Sequence, residues 1–167
     1  YKIRTSKIAH IFISHLHGDH YFGLIGLLTS MGLLGRTSAI HLYAAPALQK
    51  IIHLQLDAAD TQLPYPLYFH PILEEGIICN DGKITVQSFA VTHRIACWGF
   101  LFKEIKNPRK IDPERVKSFE VPAAYYEQLQ KGHDYKTKKG DIILNDQLTI
   151  AATAAKSYAF CADTKFN

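Results

Sequence analysis

The sequence has few of the features that mark secreted, disulfide-bonded or membrane-spanning proteins. It has three cysteines in 167 residues and no Cys-x-x-Cys pair, which excludes a disulfide framework and the common zinc fingers. Polar residues and four glycines interrupt the longest uncharged stretch, residues 20–35, so we predict no membrane span. Residues 1–7 are basic and lack a signal-peptide pattern, so we expect a cytoplasmic protein. In that reducing compartment the cysteines should be buried free thiols: Cys79, Cys97 and Cys161.

Net charge is small, but it is concentrated in one segment. Residues 103–140 hold ten Lys or Arg against six Asp or Glu, which accounts for the whole net charge of +4. Such a segment can be a solvated surface of mixed charge, or it can bind a polyanion such as RNA. The residues alone leave both interpretations open.

The hydrophobic pattern predicts an α/β protein. Residues 8–14 are β-branched and apolar, as in a buried strand, and residues 21–34 are typical of a buried helix. A second strand at 39–43 and a helix beginning at Pro46 repeat the order, which favours a layered α/β fold. Asn80-Asp81-Gly82 predicts a hairpin turn. The later strands are expected at residues 77–79, 84–89, 98–102, 142–150 and 157–162.

Metal-ligating residues are concentrated in one turn after the first predicted strand. The motif His15-x-His17-x-Asp19-His20 supplies three imidazoles and one carboxylate. Alternate residues leaving a strand can point the same way, and Gly18 allows a sharp turn. We therefore predict two pairs of ligands aimed at two adjacent metal sites. Nitrogen and carboxylate ligands without thiolate suit Zn²⁺, Mn²⁺ or iron, and a pair of such ions can activate water for attack on phosphorus.

Four stretches resemble the metallo-β-lactamase superfamily and, within it, the ribonuclease Z family, endonucleases that mature the 3′ end of transfer RNA. "KIAHIFISHLHGDHYFGLIGLL" resembles the family's strand, metal loop and helix, and "VTHRIACWGF" its later histidine segment. "FCADT" is similar to the strand that ends in a metal-bridging aspartate, and "VPAAYYEQLQKG" lies where the family carries part of a protruding arm. The resemblance covers nearly the whole chain.

The resemblance implies a role for each matching residue. His15, His17 and His93 would hold one zinc ion, Asp19 and His20 a second, and Asp163 would bridge the two. Asp19 would also orient or deprotonate the attacking water. Substrate contacts are expected from basic residues beside the site and in the arm: Arg94, Arg109, Lys110, Lys136, Lys138 and Lys139.

The implied fold is an αββα four-layer sandwich with an inserted arm. Residues 1–102 and 141–167 would form a partial core, and residues 103–140 an RNA-contacting arm. In the family, the second half supplies a further histidine ligand and a histidine that protonates the leaving group, and neither has a counterpart here. The implied activity is zinc-dependent removal of the 3′ trailer from precursor tRNA by a homodimer.

The sequence leaves two other functions open. One is a hydrolase of the same superfamily that acts on a small phosphodiester, although a small substrate does not need a basic arm. The other is a non-catalytic RNA-binding module, although such a module has no physical reason to keep four costly ligands together. The five histidines outside the motif and its partner His93 are expected to be structural.

Overall fold

The computed structural model describes residues 4–165, which form two compact units. Among the described residues, the first unit comprises 4–103 and 157–165, and the second comprises Glu104–Lys156. Residues 1–3 and 166–167, part of the predicted core, lie outside the described residues.

The first unit opens with β1 (His10–Phe12), α1 (Gly18–Tyr21), α2 (Gly23–Leu33), β2 (Ile40–Ala44), α3 (Ala47–Ala58), β3 (Leu67–Pro71), β4 (Gly76–Asn80), β5 (Ile84–Ala90) and β6 (Trp98–Glu104). The chain continues through β7 (Lys110–Ile111), α4 (Pro113–Ser118), α5 (Tyr126–Gln130), β8 (Tyr135–Lys136), β9 (Ile142–Ile143), α6 (Asn145–Leu148), β10 (Thr149–Ile150) and β11 (Ser157–Phe160).

A parallel sheet of β1, β2 and β3 carries the first helices on one face. Side chains alternate along a strand, so Ile40 and Leu42 of β2 point to one face and are fully buried against Leu28 of α2 and Leu48 of α3. Burial of this kind stabilises each such side chain by about 1.5–3 kcal/mol. Within residues 4–165, none of the helices is both long and apolar enough to cross a bilayer.

A second sheet, in the order β11-β6-β5-β4, packs on the other face of the first. Tyr43 of β2 joins Val86 of β5 and Phe100 of β6 in this second core. The hairpin between β4 and β5 forms as predicted, because Asp81 Oδ1 accepts hydrogen bonds from the amides of Lys83 and Ile84 and Gly82 adopts φ +82°. The described part of the first unit therefore shows three layers of the expected sandwich: helices, sheet and sheet.

The second unit has its own small core. Val116 of α4, Leu129 of α5 and Leu148 of α6 are almost fully buried together. Asp112 caps α4 by accepting bonds from the amides of Glu114 and Arg115, each at 3.1 Å. This compact unit extends to Lys156, beyond the predicted end at residue 140, because β10 pairs with β7 and β9 pairs with β8.

Several local expectations differ from the structure. Residues 142–150 are not one strand: a helical turn at Asn145–Leu148 separates two short strands, because the Asn145 side chain bonds the carbonyls of Leu129 and His133. Cys79 and Cys97 are buried free thiols, but Cys161 is exposed because it follows β11, an exposed strand at the sheet edge. Within α2, a Cβ at Gly32 would meet Pro64, whereas Gly23 and Gly26 face open space.

Three histidines form a row across the parallel sheet on the face turned away from the helices. His41 Nδ1 lies 2.9 Å from His70 Nε2, and the His10 ring stacks on His41 with centroids 5.1 Å apart. Burial lowers the pKa of His10 and of His70 below the usual 6.5, and neighbouring His41 lowers both further. Burial in the row therefore favours the neutral form of His10 and of His70.

This row should make the fold sensitive to acid. In the folded chain the pKa values of His10 and His70 are lowered, whereas in the unfolded chain they are close to 6.5. At a pH between these values the unfolded chain binds more protons than the folded chain. The free energy of unfolding should therefore fall as the pH drops from 6.5 towards the lowered pKa values. Replacing His70 by phenylalanine should make the free energy of unfolding less dependent on pH. The measurement is urea unfolding of both proteins at pH 7.5, 6 and 5. His53→Phe, at an exposed position on α3, is the control. Equal slopes for the wild type and His70→Phe would contradict the prediction.

Candidate metal centre

The loop after β1 places the first two histidines of the motif. Ile13 N donates to Tyr43 O at 2.9 Å, and Trp98 N donates to Ser14 O at 3.0 Å, so the chain is held on both sides as it leaves the strand. A Cβ on Gly18 would overlap the ring of Phe22, so a larger residue there would have to displace that exposed ring. His15 and His17 therefore leave a fixed backbone.

The later histidine and the aspartate are brought to this loop by two further contacts. Val91 N donates to Cys97 O at 3.1 Å and closes the loop that carries His93. Lys165 N donates to Thr92 O at 2.9 Å, which places the segment after β11 beside that loop. Residues far apart in sequence thereby meet at one end of the two sheets.

Four of the predicted ligands converge. His15 Nε2 and His93 Nε2 each lie 3.1 Å from His17 Nδ1, and Asp163 Oδ2 lies 3.8 Å from His15 Nε2. One ligand atom from each of the four residues falls within 4.8 Å of all the others. Three imidazole nitrogens and one carboxylate oxygen thus face a common point.

Two of the nitrogen–nitrogen separations fit a small tetrahedral cation. A zinc ion bound at 2.0–2.1 Å by nitrogen keeps its ligand atoms about 3.3 Å apart. The two observed nitrogen–nitrogen separations are 3.1 Å, close to that value. The donor set contains no thiolate, which also suits manganese or iron.

His15 has the surroundings of a neutral ligand. Its side chain is fully buried, and burial, followed by the nearby rings of His20, His17 and His93, lowers its pKa, which Asp163 partly opposes. Ser14 Oγ lies 3.1 Å and Cys97 Sγ 3.4 Å from Nδ1, the nitrogen that points away from the cluster. A proton held there leaves the lone pair of Nε2 for a cation.

Sequence reasoning missed the contacts of Ser14 and Cys97. Ser14 could have been found, because it precedes the motif by one residue. Cys97 could not, because a thiol among apolar residues is most often a packing residue. Burial and the carboxylate of Asp163 raise the pKa of the Cys97 thiol, which keeps it protonated beside the cluster.

His20 stands between two carboxylates at the edge of the cluster. Its Nε2 lies 3.4 Å from Asp19 Oδ2 and 3.4 Å from Asp163 Oδ2. The Asp19 side chain is 79% exposed, so it is open to solvent and to a substrate. Asp163 is within 4 Å of both His15 and His20, the position that a bridging ligand needs.

The predicted substrate-binding residues have different surroundings. Arg94 is exposed, and its Nη2 lies 2.9 Å from His17 Nε2. In the second unit, Arg109 donates Nε to Thr149 Oγ1 at 2.7 Å and also pairs with Asp146, so its guanidinium is already engaged. The remaining four are exposed lysines: Lys110, Lys136, Lys138 and Lys139.

Curated relatives match this chain almost from end to end. A ribonuclease Z of Bacteroides fragilis is 37% identical over 167 residues, 99% of this chain and 55% of that protein. A ribonuclease Z of Bacteroides thetaiotaomicron is 38% identical over 165 residues, 98% of this chain and 52% of that protein. The chain thus spans about half the length of the curated relatives that it matches. No protein-family model matches it.

A solved structure supports the same relationship. The crystal structure of the short form of human tRNase Z superposes with a TM-score of 0.57 and 27% identity, covering 62% of this chain and 46% of that one. The layered sheets and the histidine loop agree with the metallo-β-lactamase fold expected from the motif. The chain is a homologue of ribonuclease Z over nearly its whole length and carries part of the metallo-β-lactamase fold.

Proposed function

We propose that the protein containing this chain is a zinc-dependent endoribonuclease that removes the 3′ trailer from precursor tRNA. The observation that carries the proposal is the convergence of His15, His17, His93 and Asp163 within 4.8 Å, in a chain homologous to ribonuclease Z. The exposed lysines of the second unit support an anionic substrate. The proposal extends to the whole protein, of which this chain would be one part.

Each ligand would have a distinct task. His15, His17 and His93 would hold one zinc ion, and Asp19 and His20 a second, with Asp163 between them. When bound, the ions would lower the pKa of water and stabilise negative charge on a phosphate. Asp19, an exposed carboxylate at the open side of the cluster, would accept the proton of the attacking water and orient it.

The second unit would form the RNA-binding arm. The ion pairs within it, Arg109–Asp146 and Lys131–Glu127, involve none of Lys136, Lys138 and Lys139. A groove of about 440 Å³ is lined by Lys138 and Lys139, with Phe119 and Tyr135, and also by the carboxylates of Glu120 and Asp141. Ammonium groups contact phosphates without reading sequence, as recognition of many tRNAs requires.

We also propose that the protein is a cytoplasmic homodimer. Apolar side chains on and beside α2 are exposed, among them Phe22, Leu33 and Leu34. Exposed apolar surface of this kind marks interaction sites, and a second copy could cover it.

Cleavage of a precursor tRNA by the full-length protein tests the proposed activity. The protein is stripped with a chelator, reloaded with zinc, and given a precursor tRNA or a small nitrophenyl phosphodiester. We expect zinc-dependent cleavage that leaves a 3′ hydroxyl on the mature tRNA. Cleavage of the small ester alone would instead show a small-substrate hydrolase, and RNA binding without any cleavage would show a non-catalytic module.

A further inference from the structure

Arg36 is a buried cation that neither the metal centre nor the proposed RNA-binding arm uses. It is only 9% exposed, and its Cζ lies 5.6 Å from the centroid of the Tyr65 ring. Three main-chain carbonyls accept its hydrogen bonds, those of Ser38 at 2.7 Å, Ala39 at 2.9 Å and Thr5 at 3.3 Å. In the described part of the chain, no carboxylate forms an ion pair with this guanidinium. Carbonyl dipoles therefore hold the group in place without neutralising its charge.

The guanidinium has further hydrogen bonds to give. It carries five N–H groups, and the three carbonyls take one each from Nε, Nη1 and Nη2. One N–H on Nη1 and one on Nη2 thus have no acceptor among the described residues. Leaving a buried charged group incompletely paired is costly, so an acceptor that also brings negative charge would bind here favourably.

A cavity of about 220 Å³ lies beside Arg36 and provides room for such an acceptor. Its size is below the roughly 300–1,000 Å³ of sites for drug-sized ligands, so it suits a small ion or one group of a larger ligand. Hydroxyl groups, which can donate to an anion, are carried by four of the lining residues: Thr5, Ser6, Thr37 and Ser38.

The two segments that form most of this cavity carry positive charge only. Exposed Arg4 and Lys7 flank the hydroxyl pair of the first segment, and Arg36 belongs to the second. Residues 4–18 and 20–56 contain no Asp or Glu. Local charge of a single sign attracts an ion of the opposite sign, so the cavity favours an anion.

The cavity and the metal centre lie at opposite ends of the parallel sheet. Thr5 precedes β1 and Thr37 precedes β2, whereas His15 and His17 follow β1. Because β1 and β2 are parallel, their amino ends share one edge of the sheet. An anion in this cavity is therefore separate from the phosphate that the metal centre would cleave, and its binding does not depend on the proposed function.

We propose that this cavity binds a phosphate group, with Arg36 as its main contact. The free N–H groups on Nη1 and Nη2 form charge-assisted hydrogen bonds with phosphate oxygens, for which the guanidinium fork is well suited. A tetrahedral phosphate also has oxygens left for hydroxyl donors of both segments, which a planar carboxylate lacks. The bound group thereby ties the segment before β1 to the loop before β2. Its source is free inorganic phosphate or the terminal phosphate of a nucleotide.

Calorimetric titration of the zinc-loaded full-length protein with inorganic phosphate, and separately with AMP, measures this binding. His17→Ala is titrated beside the wild type, because it removes phosphate binding that depends on the metal centre and keeps the Arg36 cavity. We expect saturable binding in both proteins. Binding of inorganic phosphate alone identifies free phosphate as the ligand, and equal or tighter binding of AMP identifies a phosphate ester. Saturable binding of neither ligand to His17→Ala would overturn the proposal.

Two variants test whether the binding belongs to the cavity. Arg36→Gln removes the charge, and the double variant Ser6→Ala/Thr37→Ala removes two hydroxyls while Arg36 and its carbonyl contacts remain. We expect phosphate affinity to fall at least about tenfold in each, as loss of hydrogen bonds to a charged group implies. If Arg36→Gln does not fold, the double variant carries the test. Arg115→Gln, at an exposed position of the second unit, is the matched charge control and should leave affinity unchanged. Unchanged affinity in the double variant, or an equal loss in the control, would overturn the proposal.

Discussion

Replacing His17 by alanine in the full-length protein is expected to remove tight zinc binding and to lower the rate of precursor cleavage at least about a thousandfold. His17 Nδ1 is the atom that both other imidazoles face at 3.1 Å, so its loss takes away the centre of the ligand set. An ion supplies several kcal/mol of transition-state stabilisation, and each 1.36 kcal/mol is tenfold in rate. Single-turnover cleavage and the zinc content of purified protein are the measurements.

The fold and RNA affinity should survive this change. His17 is only half buried, and its ring lies at the end of the sheets and outside the two hydrophobic cores. His53→Ala, at an exposed position on α3, is the matched control and should retain full zinc content and activity. Retained cleavage in His17→Ala, or equal losses in the two variants, would refute the assignment of His17 to the metal centre.

Removing the second unit is expected to weaken RNA binding about a hundredfold while zinc binding is retained. The deletion can be designed from the strand register, because Lys103 of β6 and Ser157 of β11 are paired directly opposite each other. An Asn-Gly turn can replace residues 104–156 and close an antiparallel hairpin there. Affinity for precursor tRNA, measured at several salt concentrations, is the readout.

The salt dependence tests the physical reason for the loss. Each phosphate that a cation neutralises adds about 0.7–0.9 to the slope of log affinity against log salt. Four exposed lysines, Lys110, Lys136, Lys138 and Lys139, should therefore account for a decrease of about 3 in that slope. Replacing the same four by glutamine in the intact protein should give the same decrease. Unchanged affinity in the deletion would show that the second unit is not the RNA-binding arm.

Local patterns were predicted well from the sequence. The strand–turn–helix order around the motif follows from hydrophobic spacing, and the hairpin at Asn80-Asp81-Gly82 follows from turn chemistry that acts within a few residues. The convergence of His15 with His17 depends on neighbouring positions of one loop. Bringing His93 and Asp163 to the same place depends on long-range pairing, and it was expected only from the resemblance.

Long-range side-chain partners explain most of what was missed. Strand β3 was not predicted, since prolines flank and end it and only its pairing with β2 makes it a strand. The pairing of Arg109 with Asp146, 37 positions away along the chain, was not predicted either. The helical turn after β9 likewise depends on Asn145 reaching carbonyls of α5 and of the loop that follows it. None of these contacts leaves a local pattern.

Anomalous diffraction at the zinc edge, from crystals of the zinc-loaded full-length protein, would show whether the four converging residues hold the metal ion. We expect a peak 2.0–2.1 Å from His15 Nε2, His17 Nδ1 and His93 Nε2, with Asp163 as an oxygen ligand. A zinc ion bound elsewhere, or one held at 2.3 Å by the sulfur of Cys97 in place of a histidine, would contradict it.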